Sequence, residues 1–469
     1  MDTACLPDAR LGWNFDPVLL RRHDRAGPRY TSYPPAPQFH DRFGASQLAA
    51  AAARSNASGR GLSLYVHVPF CTSPCFYCGC NRVITRDMAR GEAYVQRVLS
   101  EAAQVASLFA PDREVVQLHL GGGTPNFLTP AQLGTLLSGL RGLFRFSEAA
   151  DRDISIELDP RHITPAEVAS LGALGFNRAS LGVQDFNAGV QLAINRIQPA
   201  EQTLAIIDAC RRHGLGSVNV DLIYGLPRQT VAGFAQTVEQ VLERRPERLA
   251  IYGYAHLPHL FRAQRQIADA ELPGPEDKLA LLGVAVERLT AAGYQYIGLD
   301  HFALPEDPLA IAQRAGQLHR NFMGYTTHAD TDLIGLGVSA ISHVDNTFSQ
   351  NPRDLPAWET AVDAGLPTVW RGMELDADDT LRADIIQALM CHGELDMAAF
   401  GARHGIDFAD YFAPGLQRLQ ALCDDGLARR DDNLIAATTA GRPLLRLLAM
   451  CFDRYLHQEQ APQRYSRAI

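Results

Sequence analysis

Short apolar runs typical of β-strands alternate with longer stretches of helical periodicity through the middle of the chain. Strands separated by helices at this spacing form parallel βαβ units with right-handed crossovers. Six units predict an α/β fold, a partial TIM-like (β/α)6 barrel that is open on one side, because a closed barrel needs about eight. The predicted strands span residues 62–68, 115–120, 154–158, 178–183, 217–223 and 249–254. The predicted helices span residues 93–109, 130–143, 165–174, 202–213 and 231–243.

The pattern changes on both sides of these units. Residues 1–60 carry an extended Gly-Pro-Arg-Tyr stretch before an Ala-rich helical segment, and we expect an N-terminal arm and capping segment there. The barrel is assigned to residues 61–300, and residues 301–370 are predicted to extend it and complete the functional region. Residues 371–469 are predicted to form a mainly helical, winged-helix-like C-terminal domain, with a short hairpin before a last helix that reaches Tyr455.

A cysteine-rich loop directly follows the first predicted strand. Cys71, Cys75 and Cys78 have C-x3-C-x2-C spacing, and Cys80 follows two residues later. Three thiolates this close can ligate three irons of one cubane cluster and leave the fourth iron open to a small chelating molecule. The alternative is a closed zinc site that uses all four thiolates. The spacing favours the cluster, because zinc sites usually pair two short clusters across a longer loop.

Composition excludes several function classes. The chain has 43 basic and 52 acidic residues, a formal charge of −9, so no basic stripe is expected to bind nucleic acid. It has no apolar run of about twenty residues that predicts a membrane span, and its first 16 residues lack the pattern of a signal peptide. We therefore expect a cytoplasmic protein. The five cysteines outside the loop are scattered and do not resemble a disulfide framework.

Polar residues end several predicted strands, at the face where barrels carry their chemistry. The glycines of residues 121–125 let the backbone approach a ligand closely, although a tight turn is the structural alternative. Glu157 is placed on the polar face of the third strand. Asp221 is a carboxyl inside an apolar strand, and an ion pair with Arg196 is its structural alternative. The polar and aromatic residues 319–325 lie in an irregular region, which favours function over core packing.

These motifs resemble the radical S-adenosylmethionine (radical SAM) superfamily and, within it, the family of oxygen-independent coproporphyrinogen III oxidases of haem biosynthesis. The resemblance covers nearly the whole chain. The segments that carry it are residues 27–34, 65–70, 71–80, 121–125, 182–186, 195–196, 221–227, 319–327 and 450–455.

The resemblance implies a ligand set for each cofactor. It implies that Cys71, Cys75 and Cys78 bind a 4Fe-4S cluster and that Cys80 does not. The residues implied to contact the S-adenosylmethionine on the open iron are Tyr65, Gly122, Glu157 and Ile341. The residues implied to contact a second S-adenosylmethionine are Tyr77, Gly123, Thr124, Gln184, Arg196, Asp221 and Ala255.

The resemblance also implies the reaction. A 5′-deoxyadenosyl radical takes hydrogen from two propionate side chains of coproporphyrinogen III, each loses carbon dioxide, and protoporphyrinogen IX with two vinyl groups results. An electron donor such as a flavodoxin or ferredoxin and a monomeric enzyme are expected. Because the substrate has four carboxylates, we expect arginines to bind it. Arg29 and Arg320 are the first candidates, and Arg262 and Arg265 are weaker ones.

Two rival functions are considered. A haem chaperone of the same superfamily generally lacks the Cys-Gly-Cys ending and the Gly-Pro-Arg-Tyr arm, and has a His-Asn pattern in place of His-Arg-Asn-Phe. All three features favour the oxidase here. A zinc-stabilised structural protein with a winged helix that binds nucleic acid is the second rival, and it predicts a colourless protein with salt-sensitive DNA binding.

Overall fold

The computed structural model describes residues 13–457 as two compact units. One unit consists of Gln38–Lys278 and Asp330–Glu374, and we call it the sheet unit. The other contains Leu279–Ala329 with the described residues before Gln38 and after Glu374, and we call it the helical unit. The first 12 residues of the predicted arm and the last 12 of the predicted C-terminal domain lie outside the described residues. None of the helices between residues 13 and 457 combines the length and apolar character needed to cross a bilayer.

Strands and helices alternate through residues 61–253, as the apolar pattern predicts. The strands are β1 (Gly61–Val68), β2 (Phe70–Cys71), β3 (Val83–Ile84), β4 (Glu114–Gly122), β5 (Arg145–Phe146), β6 (Asp153–Leu158), β7 (Arg178–Gln184), β8 (Ser217–Tyr224), β9 (Arg248–Gly253), β10 (Gln295–Gly298), β11 (His301–Ala303), β12 (His319–Asn321), β13 (Gly324–Thr326), β14 (Thr331–Leu336), β15 (Ile341–Val344), β16 (Thr347–Gln350), β17 (Arg371–Glu374), β18 (Glu394–Asp396), β19 (Ala428–Arg430) and β20 (Leu434–Ala437). The helices are α1 (Pro17–Arg22), α2 (Ala45–Asn56), α3 (Ala89–Ala106), α4 (Pro130–Leu143), α5 (Pro165–Leu174), α6 (Ala188–Ala193), α7 (Ala200–Arg212), α8 (Val231–Leu242), α9 (Pro275–Ala291), α10 (Pro308–Arg314), α11 (Leu355–Asp363), α12 (Ala377–His392), α13 (Met397–His404), α14 (Phe408–Tyr411), α15 (Ala413–Asp424) and α16 (Leu445–Met450).

The sheet unit contains all six predicted strands in one parallel array. Its strand order is β9-β8-β7-β6-β4-β1-β14-β15-β16-β17, and β5 pairs with β4. The strands from β1 to β9 are parallel to their neighbours, and β14 also lies parallel to β1. The described part of this path does not close into a ring, so the partial (β/α)6 architecture is confirmed. The sequence did not predict β14–β17, which extend the sheet beyond β1.

Two helices of the sheet unit have the predicted bounds because their N-termini carry complete capping signals. The Thr129 hydroxyl caps the N-terminus of α4 by accepting from the Gln132 amide, and the Gln132 side chain accepts from the Thr129 amide. Pro130 occupies the first helical position. Thr164 and Glu167 make the same arrangement at α5. A capping box with proline at the first position fixes a helix start within one residue. Because the strands are parallel, their carboxyl ends lie at the same edge of the sheet, and the helix after each strand leads the chain back to the opposite edge.

The helical unit is built on an apolar core from α12, α13, α15 and α16. Strand β20 pairs with both β18 and β19, which gives the predicted hairpin among helices. The predicted last helix is wrong in length, since α16 ends at Met450 and not at Tyr455. The buried carboxylate of Asp453 accepts hydrogen bonds from the Tyr30 hydroxyl and from the Tyr455 amide. With these bonds the chain forms a non-helical turn after Met450, and α16 is not extended by a further helical turn.

Candidate active site

A cavity of about 250 Å³ lies at the carboxyl ends of the parallel strands in the sheet unit. Most of the residues that the sequence predicts for cofactor binding line it. The predicted residues on its wall are Cys71, Cys75, Tyr77, Cys78, Gly122, Gly123, Thr124, Glu157, Gln184, Arg196 and Asp221, together with Cys80. Their side chains come from six separate chain segments, so only the fold brings them together.

The cysteine loop is fixed at both of its ends. Strand β2, which contains Cys71, pairs with β3, and the Thr85 amide donates to the Cys71 carbonyl over 2.9 Å. Inside the loop, the guanidinium of Arg82 donates to the carbonyls of Cys78 and Cys75 over 3.0 and 3.3 Å. The three sulfurs are thus presented from a backbone that is already hydrogen-bonded, which is the support that a metal-ligand loop needs.

The cysteine thiols differ in their surroundings. Burial raises the pKa of Cys71 to about 11, while the Thr124 hydroxyl lies 3.3 Å from its sulfur. A hydrogen bond from Cys80 lowers the pKa of Cys78 to about 6, and the same pairing raises the pKa of Cys80. Cys80 therefore supports the Cys78 thiolate as a hydrogen-bond donor.

The donor set fits a cubane cluster. Among residues 13–457, no group of three His, Cys, Asp or Glu side chains is close enough together to hold a single metal ion. A 4Fe-4S cluster does not require such convergence, because each thiolate binds a different iron. Four cysteines line the cavity. The C-x3-C-x2-C set of Cys71, Cys75 and Cys78, with Cys80 outside the ligand set, matches a cluster with one open iron.

Glycines form another part of the cavity wall. Gly122 has a φ of +115°, and a Cβ there would lie 2.5 Å from the His67 ring. A Cβ on Gly123 would lie 2.6 Å from the Pro69 carbonyl oxygen. Neighbouring groups of the protein occupy both Cβ positions, so glycine is required there. The backbone of these two residues, which we call the glycine cradle, itself lines the cavity, where a ligand can approach it closely. The tight-turn alternative does not account for the cavity beside these glycines.

Glu157 points into the cavity from β6, as predicted. Its carboxylate accepts from the Gly122 amide over 3.0 Å and lies 3.4 Å from His119 Nε2. Burial alone would raise the pKa of Glu157, but the bonds and charge of His119 and the Gly122 amide lower it. An ionised carboxylate is thus held beside the glycine cradle, where it can accept from ammonium or hydroxyl donors of a ligand.

Asp221 projects from β8 without the ion pair that the sequence offers as its alternative. Its two oxygens accept from Ser180 and Asn219 over 3.1 and 2.8 Å. Burial, and then the negative charge of Glu157, raises its pKa to about 7. Arg196, the expected partner, pairs with Asp159 at 3.1 Å instead. Asp221 is therefore available to a ligand rather than used in a structural ion pair.

Sequence reasoning missed Arg161 and Gln264. Arg161 lines the cavity and pairs with Asp159 at 2.6 Å. It follows the polar end of β6 by three residues, a signal that could have identified it. Gln264 is buried and donates to the carbonyls of Tyr77 and Ala255 over 2.9 and 3.2 Å. No local pattern indicates Gln264, because its partners are distant in sequence.

Three predicted residues lie outside this cavity wall. Ala255 is held near Tyr77 through Gln264. Tyr65 lies on β1 opposite Gly335 of β14, and its hydroxyl is 3.0 Å from His67 Nδ1. A Cβ on Gly335 would lie 2.5 Å from the Ile341 carbonyl oxygen, so Ile341 packs against the strand next to Tyr65.

The two arginines predicted to bind substrate both belong to the helical unit. Arg29 forms an ion pair with Asp300. Arg320 is 6% exposed, stacks on Tyr325 at 4.7 Å, and leaves its Nε and Nη1 groups without a hydrogen-bond partner among the described residues. Burial raises the pKa of Tyr325, and the charges of Arg320 and Arg29 oppose that shift. Of the two, Arg320 lies directly over the tyrosine ring. Arg265 instead donates to the Pro258 carbonyl from an exposed turn.

Comparison with known proteins gives consistent matches. Residues 65–241 match the radical SAM superfamily, and residues 375–444 match the HemN C-terminal domain. The chain is 47% identical over 456 residues to the oxygen-independent coproporphyrinogen III oxidase of Escherichia coli, with 97% of this chain and 99% of that protein covered. The corresponding protein of Synechocystis is 41% identical over 459 residues, with 97% and 98% covered. The solved structure of the Escherichia coli coproporphyrinogen III oxidase, described as a radical SAM enzyme, superposes with a TM-score of 0.90 at 46% identity, covering 95% of this chain and 100% of that one.

Proposed function

The chain belongs to the oxygen-independent coproporphyrinogen III oxidases of the radical SAM superfamily, and from that premise we propose which of its residues perform the reaction. The enzyme decarboxylates two propionates of coproporphyrinogen III to vinyl groups and yields protoporphyrinogen IX for haem biosynthesis. Its cofactors are a 4Fe-4S cluster and S-adenosylmethionine. The single observation that supports the residue assignment is the cavity shared by the three cysteines, the glycine cradle, Glu157 and Asp221.

Cys71, Cys75 and Cys78 hold the cluster, and Gly122 and Glu157 bind the S-adenosylmethionine beside it. When bound, these cofactors supply the radical that removes hydrogen from a propionate side chain. The protein orients the ligand: the backbone of Gly122 lines the site, and the ionised Glu157 accepts from the ligand's polar donors. Tyr65 and Ile341, on strands that flank β14, complete this site.

A second S-adenosylmethionine is proposed beside the first. Six of the seven assigned residues line the same cavity. Gln264 links the seventh, Ala255, to Tyr77 by donating to both carbonyls. Asp221 is the strongest support, because a carboxyl with a raised pKa and only neutral partners gains most from a cationic ligand.

Arg29 and Arg320 are proposed to bind substrate carboxylates. The support is the buried guanidinium of Arg320, which has two N–H groups without partners among the described residues. A buried charge with donors that lack partners is costly, and carboxylate ligands would satisfy them. Arg262 and Arg265 stay weaker candidates. We also propose a one-electron donor of the flavodoxin or ferredoxin type and a monomeric, cytoplasmic enzyme without nucleic acid or membrane partners. The formal charge of −9 supports the absence of a nucleic-acid partner.

The experiment is an anaerobic assay of the reconstituted enzyme with reductant, S-adenosylmethionine and coproporphyrinogen III. We expect protoporphyrin and 5′-deoxyadenosine to form together, and Cys75→Ser to lose both products along with the bound iron. A protein that binds haem but makes neither product would instead be a chaperone. A colourless protein that retains zinc would contradict the cluster assignment.

The substrate arginines are tested by Arg29→Ala and Arg320→Ala, each compared with Arg314→Ala. Arg314 is an exposed arginine of the helical unit that bonds to Gln295 and the Pro305 carbonyl. Loss of one charge-assisted carboxylate contact costs about 1.5–3 kcal/mol, so KM should rise roughly 10- to 100-fold while iron content is unchanged. Wild-type turnover at low substrate in the Arg320 variant would reject that residue.

A further inference from the structure

Two guanidinium groups converge on a single cysteine sulfur in the cavity. Arg161 Nη2 lies 3.5 Å from Cys75 Sγ, and Arg196 Nη1 lies 3.6 Å from the same atom. Cys75 is the middle residue of the C-x3-C-x2-C loop and is only 8% exposed. The sulfur thus accepts from two cationic donors in a place that water barely reaches, whereas Cys71 has a neutral hydroxyl neighbour, Thr124.

Asp159 holds both arginines in this position. Its carboxylate accepts from Arg161 Nε at 3.0 Å and Nη2 at 2.6 Å, and from Arg196 Nη1 at 3.1 Å. One carboxylate between two guanidinium groups leaves a net charge of about +1 against the sulfur. The side chains of Asp159, Arg161 and Arg196 are 7%, 12% and 6% exposed, so solvent screens this charge little.

The backbone that positions Arg161 is rigid. Asn126 donates to the Asp159 carbonyl over 3.1 Å and accepts from the Asp159 amide over 2.8 Å. The Asp159 carboxylate also caps the short helical turn at the Arg161 amide, over 3.1 Å. Gln202 bonds to the Pro160 carbonyl over 3.1 Å from the other side. Arg161 is therefore held in place before any cofactor contact is made.

We propose that Arg161 is a positioning residue that raises the reduction potential of the cluster by donating to the Cys75 sulfur. The inference rests on the proposed ligand set, in which Cys75 binds iron. Reduction adds one electron from the donor protein to the cluster, and no bond of the chain breaks. Hydrogen bonds and positive charge at a ligating sulfur stabilise the more negative, reduced form, so they raise the potential. Arg196 is already assigned to S-adenosylmethionine, whereas Arg161 has no other assignment.

The alternative is that Arg161 only neutralises Asp159. Arg196 already pairs with that carboxylate, so Arg161 is not needed to satisfy it. A purely structural Arg161 would change stability or cluster content but would leave the potential of the remaining cluster unchanged. The potential therefore separates the two roles.

The test is an anaerobic redox titration of the reconstituted enzyme, followed by the electron paramagnetic resonance signal of the reduced cluster. Arg161→Gln removes the charge, Arg161→Lys keeps it, and Arg141→Gln is the control, since Arg141 donates to the Leu174 carbonyl at the surface. We expect Arg161→Gln to lower the equilibrium constant for reduction of the cluster about tenfold, which is a decrease of about 59 mV in the reduction potential for one electron. Arg161→Lys should lower it by less, and the control should match the wild type.

A potential in Arg161→Gln equal to that of the control overturns the proposal. If Arg161→Gln fails to retain the cluster, Arg161→Lys decides: a lowered potential supports the proposal, and an unchanged one overturns it. Cys75→Ser is measured in parallel. Full cluster content in Cys75→Ser would reject the ligand set itself, which is a different failure from an unchanged potential in an enzyme whose Cys75 variant loses iron.

Discussion

Replacing Asp221 by asparagine removes a carboxyl that the fold buries between two neutral hydrogen-bond donors, Ser180 and Asn219. Burial, and then the charge of Glu157, raises its pKa from 3.8 to about 7. The unfolded chain therefore loses the proton near pH 3.8 and the folded enzyme near pH 7. Between these values the folded state binds more protons, so its stability falls as the pH rises, and the full penalty applies above pH 7.

The size of the effect follows from the same shift. One pKa unit corresponds to about 1.36 kcal/mol, so the ionised Asp221 costs the folded state about 4 kcal/mol at alkaline pH. Asparagine avoids this cost but loses part of one hydrogen bond, about 1–2 kcal/mol. We expect Asp221→Asn to raise the free energy of unfolding by roughly 2–3 kcal/mol near pH 8.5. Near pH 6 this gain should be smaller by about 1.4 kcal/mol, because the wild-type carboxyl is then mostly protonated in the folded state.

The assay is urea unfolding followed by circular dichroism, under anaerobic conditions and without S-adenosylmethionine. Asp151→Asn is the control, because Asp151 is exposed in the turn before β6; its effect should stay within about 0.5 kcal/mol. The same Asp221 variant should bind S-adenosylmethionine more weakly, since the carboxylate is proposed to meet a cationic ligand. A variant no more stable than the wild type near pH 8.5, or a gain that does not depend on pH, would refute the reasoning.

Two further substitutions test the site, and a third tests a buried hydrogen-bond cluster elsewhere in the sheet unit. Gly122→Ala places a Cβ 2.5 Å from His67 at a residue with a φ of +115°, so it should lower the free energy of unfolding by about 2–4 kcal/mol in urea titrations. Gly142→Ala is the control, because a Cβ there meets no other group within 4 Å and should not destabilise the protein. Cys80→Ser should keep the bound iron and sulfide of the wild type in chemical analysis, and loss of the cluster would make Cys80 a ligand. Glu101→Gln should cost about 2–4 kcal/mol in thermal or urea unfolding, because the buried carboxylate accepts four hydrogen bonds; an unchanged midpoint would contradict that role.

Much of the fold is readable from local pattern. The apolar runs give the six parallel strands, because alternate positions of each strand are buried and carry apolar side chains. Helices α4 and α5 are predicted to the residue by their capping signals. The glycines and Glu157 follow from the rule that chemistry collects at the carboxyl ends of parallel strands.

Other features depend on contacts that no local pattern reveals. Strands β15 and β16 are four residues each and turn at Asp345, whose positive φ of 52° makes a tight hairpin in a region for which no strand was predicted. Asp159 attracts Arg196 from 37 positions away, which leaves Asp221 without the partner the sequence offered. The helix expected to reach Tyr455 stops early because buried Asp453 binds the Tyr30 hydroxyl, a partner more than 400 residues distant. These are tertiary effects that override local propensity.

The most direct test of the central claim is the stoichiometry of the anaerobic reaction. Each of the two decarboxylations should consume one S-adenosylmethionine, so two molecules of 5′-deoxyadenosine and two of carbon dioxide should form for each protoporphyrinogen IX. The measurement requires quantified products from one reaction with limiting coproporphyrinogen III. Protoporphyrinogen IX formed without 5′-deoxyadenosine, or haem bound with no product at all, would contradict the assignment of the cavity as a radical-generating site.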